Sequence, residues 1–227
     1  MPSERIVQLL ASAVALIVGI VFHESAHALA AYALGDKTAR SRGRVSLNPL
    51  AHIDPFGTVI LPLIMLALGG PVFAFAKPVP VYLGNLKHPK RDEVFVSVAG
   101  PFCNILLAAL ACVVSYLTLP WLLATFGTPL VQRVFDFVSV FVVVNLSLTF
   151  FNLIPLPPLD GSLILVPFLK GSALDTYYRI QHYSMPILII VLYLIPQLTG
   201  IDLIGMYFDV TVYPLAQSLL TGALAGL

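Results

Sequence analysis

Over residues 6–34 the chain runs twenty-nine positions with a single Asp, Glu, Lys or Arg, Glu24. A helix of that length rises about 43 Å, against about 30 Å for a bilayer's hydrocarbon core, so it has to tilt or protrude. The rest of the sequence agrees. It is 59% hydrophobic and 10% charged over 227 residues, where soluble domains carry about 25% charge. That leaves too little polar surface to cover a water-soluble globule. The net charge of +1 gives no basic field for nucleic acid. Cys103 and Cys112 lie in one apolar run and form neither a disulfide framework nor a CxxC pair. The expectation is an integral, multi-pass membrane protein of one embedded domain, residues 1–227. Its core covers about 6–165, with C-terminal helices over about 177–227.

Further apolar runs cover residues 94–119, ended by Pro120, then 130–153, and 183–198 with Pro186 and Pro196 near its ends. Residues 201–227 are broken at Pro214 and read either as a fifth span or as an interfacial segment. Ala26-His27-Ala28 fits a signal-peptide cleavage pattern. Against it, Glu4 cancels Arg5 and the apolar stretch is long for a cleaved leader.

Two basic stretches, Lys37 to Arg44 and Lys77 to Arg91, flank an apolar segment at 57–76, while the loop at 120–129 has no charge. The positive-inside rule puts both basic stretches in the cytoplasm. Residues 57–76 then start and end on one side, as a re-entrant segment turning near Gly69-Gly70-Pro71. Backbone at that depth has to be packed in protein or line a wet cavity. The fold class expected is an all-α polytopic membrane protein with about 4–5 transmembrane helices plus this re-entrant segment.

Inside the first run stands His23-Glu24-Ser25-Ala26-His27. The i, i+4 spacing puts both imidazoles on one helix face, where they can share a zinc ion, with Glu24 able to reach a water there. Three ionisable groups within five residues of a spanning helix mark function. Catalytic zinc takes three protein ligands and keeps one position open. Asp160 is an isolated carboxylate in a proline-broken apolar stretch after the third run; His52 and Asp54 compete for the third place. Asp136 and Asp175 read as span-end charges, His88 and His182 as solvated or interfacial.

HESAH in an apolar helix, followed by Asn152-Leu153-Ile154-Pro155-Leu156-Pro157-Pro158-Leu159-Asp160-Gly161, resembles the site-2 protease family of intramembrane zinc metalloproteases. Gly43 to Leu50, His52 to Pro55, Ala76 to Val81 and Ala99 to Asn104 are similar to the short prokaryotic members. The likeness covers about residues 18–162. It implies one Zn2+ per chain on His23, His27 and Asp160, with Glu24 as catalytic carboxylate. It implies a substrate or oxyanion role for Asn152. For Asn104 and His52, polar groups inside family motifs, a structural or substrate-cradling role is expected; His52 is at most accessory to the metal. There is no room for a PDZ or CBS domain.

The reaction implied is hydrolysis of a peptide bond in or near a transmembrane segment of a membrane-protein substrate, in regulated intramembrane proteolysis. The setting expected is a prokaryotic plasma membrane, with the site reached from the cytoplasm. The partners are transmembrane substrates and the lipid bilayer, with no nucleic acid; the oligomeric state is left open. The rival reading is a membrane zinc transporter or metal sensor using the same His pair. Transporters spread such residues over several spans, often in repeated halves, and here they concentrate at one point.

Overall fold

The computed structural model describes residues 2–60, 63–64 and 75–225. Among them the regular structure is helical, with no strand. The helices are α1 (Pro2–Ala33), α2 (Thr38–Ser41), α3 (Pro89–Phe126), α4 (Thr128–Asn152), α5 (Asp160–Leu165), α6 (Ser172–His182), α7 (Ser184–Thr199), α8 (Leu203–Val210) and α9 (Val212–Leu224). Three of them, α1, α3 and α4, are each long and apolar enough to cross a membrane; α6 and α7 are so only taken together, and they are bent by 72° to each other. The chain is thus an all-α polytopic membrane protein.

α1, α3 and α4 pack against one another, α3 antiparallel to the other two. The C-terminal half of α1, the N-terminal half of α3 and the C-terminal half of α4 therefore share one level. Lipid offers no hydrophobic drive for helix pairing, so close packing of small residues has to supply it. Ala15, Ala28, Ala31 and Ala108 are fully buried accordingly. α9 closes the bundle, adding Val212, Ala216 and Ala223 to a core of Ala108, Cys112, Val138, Val142 and Leu146. The opposite faces expose Leu9, Leu10, Leu106, Leu110 and Leu117, as a lipid-facing surface does.

Three boundaries differ from the sequence expectation. α3 does not stop at Pro120 but runs on to Phe126. It ends at Gly127, whose φ of +78° turns the chain directly into α4. α7 contains a π turn over Ile190–Leu194, just before Pro196. The C-terminal segment breaks at Thr211 and not at Pro214, which sits in the first turn of α9 where a missing N–H is harmless.

The turn expected at Gly69-Gly70-Pro71 lies outside the described residues. The two ends of that segment are described, and they meet. Phe75 N donates to Gly57 O at 3.1 Å, Thr58 Oγ1 to Phe75 O at 2.9 Å, and Lys77 N to His52 O at 2.9 Å. A helix crossing over the same eighteen residues would part its ends by about 27 Å. The two described ends of the segment therefore lie side by side.

Candidate metal centre and active site

Two turns from the C-terminus of α1, His23 and His27 face the same side, and both are buried. α5 begins at Asp160 and brings its carboxylate to them. His23 Nε2 lies 3.1 Å and His27 Nε2 3.2 Å from Asp160 Oδ2, and the two Nε2 atoms lie 3.1 Å apart. Ligand atoms on one tetrahedral zinc with bonds of about 2.0 Å sit about 3.3 Å from one another.

The outer nitrogens decide what these atoms can be. His27 Nδ1 lies 2.6 Å from Val96 O, a backbone carbonyl that can only accept. His23 Nδ1 lies 2.7 Å from Asn104 Oδ1. Both Nδ1 atoms therefore carry a proton, which leaves each Nε2, turned inward, as the nitrogen that can serve as a ligand. Asp160 Oδ2, buried, has no hydrogen-bond partner there. Three lone-pair atoms facing one point, with their outer sides tied to acceptors, fit a bound cation. Among the described residues this is the one His, Cys, Asp and Glu cluster that can hold a metal.

α3 approaches the pair closely because it has no side chain at Gly100. A Cβ there would fall 2.7 Å from His23 Cε1 and Nε2, and nearer still to His27 Nε2. Next to it Thr149 of α4 donates to Pro101 O at 3.1 Å, strapping α4 to α3 beside the centre.

Glu24 lines the same cavity as the three ligands, a space of about 590 Å³. Its Oε2 lies 4.0 Å from Arg44 Nη2. Arg44 counts in the sequence as one of a run of loop cations, yet it is buried, and its guanidinium donates to the carbonyls of Ala51 and Lys77. The far wall of the cavity is the irregular stretch after Phe75, with Ala76, Pro78, Val79 and Val81 lining it. Its other end is anchored by Asp36, which accepts from Tyr82 N at 2.7 Å and Asn85 Nδ2 at 3.0 Å.

The remaining polar residues singled out in the sequence fall into two groups. Asn152 lines the cavity, with Nδ2 donating to Leu148 O at 2.9 Å. Asn104 and His52 do not line it. Asn104 is fully buried, with Nδ2 donating to Gly19 O at 3.1 Å and Asn145 Oδ1 at 2.8 Å, so neither amide hydrogen is left for a substrate. His52 is buried against Ser46 O at 2.7 Å and Ser25 Oγ at 3.3 Å, on another face of α1 from the ligand pair. Asp54 caps the turn after it, accepting from Phe56 N and Gly57 N. Sequence reasoning passed over Asn145, Gly100 and the burial of Arg44. Asn145 carried a signal of its own, as a lone amide deep in an apolar run, whereas Gly100 and Arg44 stood inside family-like motifs without being singled out.

The profile of peptidase family M50 matches residues 11–131 and 120–195. The chain belongs to peptidase family M50. It is 38% identical over 186 residues to YwhC of Bacillus subtilis, covering 81% of this chain and 80% of that one, and YwhC is named as a zinc metalloprotease. It is 28% identical over 195 residues to Rip2 of Mycolicibacterium smegmatis, similarly named, covering 85% of this chain and 71% of that one. No solved structure matches the chain. As an M50 member it is a metalloprotease with zinc as cofactor, and the transporter reading gives way to an enzyme.

Proposed function

We propose that this M50 peptidase is an intramembrane endopeptidase that cuts a peptide bond in or near a transmembrane segment of a membrane-protein substrate. The carrying observation is the position of the metal cluster: two ligands sit inside the apolar helix α1, walled by α3 and α4. His23, His27 and Asp160 would hold the zinc, and when bound it would supply Lewis-acid chemistry to a water and to the scissile carbonyl. Glu24 takes the proton of that water and returns it to the leaving amine. Arg44 fixes the carboxylate's side of the cavity, and Asn152 faces the substrate.

A substrate helix hides its carbonyls in its own hydrogen bonds, so it has to unwind to be cut. Residues 76–81, free of helix, offer it a wall to lie along, and backbone pairing with a sheet edge is a recurring mode of peptide capture. Pro78 and Pro80 have no N–H to offer, so pairing there falls to the backbone of Val79 and Val81. The basic stretches on either side of residues 57–76 favour a site opening to the cytoplasm of a prokaryotic plasma membrane, serving regulated intramembrane proteolysis.

The test compares wild type with Glu24→Gln by membrane proteomics and with the purified, zinc-loaded proteins. The variant keeps zinc and loses activity by about 2 to 4 powers of ten, and a single-span protein accumulates in its membranes. Turnover near that of wild type removes Glu24 from the mechanism. Cleavage of soluble peptides alone, with no membrane protein accumulating, removes the intramembrane substrate.

A further inference from the structure

We infer that Asn145 of α4 is a positioning residue for the zinc centre, acting through Asn104 to fix which nitrogen of His23 faces the metal. Two backbone carbonyls set the direction of the chain of hydrogen bonds. Phe141 O can only accept, so the Asn145 atom 2.9 Å from it is Nδ2. That leaves Asn145 Oδ1 to receive Asn104 Nδ2 at 2.8 Å. Gly19 O, also only an acceptor, takes the other hydrogen of Asn104 Nδ2 at 3.1 Å. Asn104 Oδ1 is then left for His23 at 2.7 Å, and His23 has to donate from Nδ1. No step in this sequence is free to reverse without setting two acceptors or two donors face to face.

Orientation matters because neutral histidine in water prefers its proton on Nε2, the nitrogen a metal here needs bare. Asn104 opposes that preference only while its own amide cannot turn over. Gly19 supplies one lock and Asn145 the other. Both asparagines are completely buried, in a region where an unpaired amide group has no water to turn to. The space is closed around them as well: a Cβ on Gly19 would come 3.2 Å from Asn145 Oδ1 and 3.4 Å from Asn104 Nδ2. His27 needs no such relay, since Val96 O holds it directly.

The test measures zinc affinity by chelator competition on the purified full chain in detergent micelles, with helix content recorded for each variant. Asn145→Leu has the same heavy-atom branching and no acceptor. It is expected to bind zinc about 10- to 100-fold more weakly, the range seen when partners of metal-ligating histidines are removed. Asn145→Asp, held in its neutral acid form by burial in the membrane, keeps an oxygen towards Asn104 and an O–H for Phe141 O, and is expected to bind as wild type does. If the leucine variant does not fold, Asn145→Ala carries the same expectation as leucine. Wild-type affinity in the leucine or alanine variant overturns the inference. So does an aspartate variant weakened as much as they are, because that reports packing and not the accepting oxygen.

Discussion

Gly100 of α3 lies so near His27 of α1 that a methyl group in place of its hydrogen would clash with the ring's Nε2. The Gly100→Ala variant has to push α3 away or turn both imidazoles. Overpacking of this kind costs about 1–3 kcal/mol. Metal analysis of the purified variant should find zinc well below one ion per chain, with a lower melting temperature. Full zinc content would mean that the helices yield there.

Asp160 closes the ligand triangle and His52 is bonded elsewhere, to Ser46 and Ser25. Zinc should therefore be near stoichiometric in wild type and in His52→Ala, and lost in His23→Ala and Asp160→Ala. Zinc retained without Asp160 and lost without His52 would move the third ligand to the histidine.

Arg44 holds the carbonyls of Ala51 and Lys77 in one planar fork while facing Glu24. Lysine keeps the charge and cannot keep the fork. Arg44→Lys should bind zinc normally and cleave substrate about ten- to a hundredfold more slowly, equivalent to the loss of one charged hydrogen bond of about 1.5–3 kcal/mol. Parallel zinc and cleavage assays check this; unchanged cleavage would show that other contacts hold residues 76–81 in place.

Burial alone would raise the Asp36 carboxyl, but donors from Asn85, Thr38 and Tyr82 outweigh it and bring it down to about 2 from an ordinary 3.8. A folded value below the unfolded one stabilises the protein above the unfolded pKa and loses that stability as pH falls through the folded one. Asp36 should thus contribute fully above about pH 5 and progressively less between about pH 4 and pH 2. Melting curves of Asp36→Asn across that window should be flatter with pH than those of wild type. Identical slopes would assign the acid sensitivity to other groups.

What could be read from the sequence was local. His23, Glu24 and His27 declare themselves because one turn of helix brings them together. Asp160 stands out because a carboxylate in an apolar stretch is rare. What surrounds them was not legible, because its logic is carried by distant pairs. His23 meets Asn104 across 81 positions and Asp36 meets Tyr82 across 46. Nothing near Gly100 in the chain announces that two imidazoles will press against it. Pro120 misled as a helix end because in lipid the alternative, exposed irregular backbone, is worse than one missing hydrogen bond.

The order in which the ligands occur along the chain has a consequence for biosynthesis. His23 and His27 belong to the first helix and Asp160 to the segment after α4, with α3 between them furnishing the partners of both rings. Synthesis runs from the N-terminus. A half-made chain in the insertion machinery therefore carries an imidazole pair with neither its carboxylate nor its oriented tautomers. Metal capture, and with it the power to cut, therefore has to wait until the segment carrying Asp160 has been made and has docked against α1.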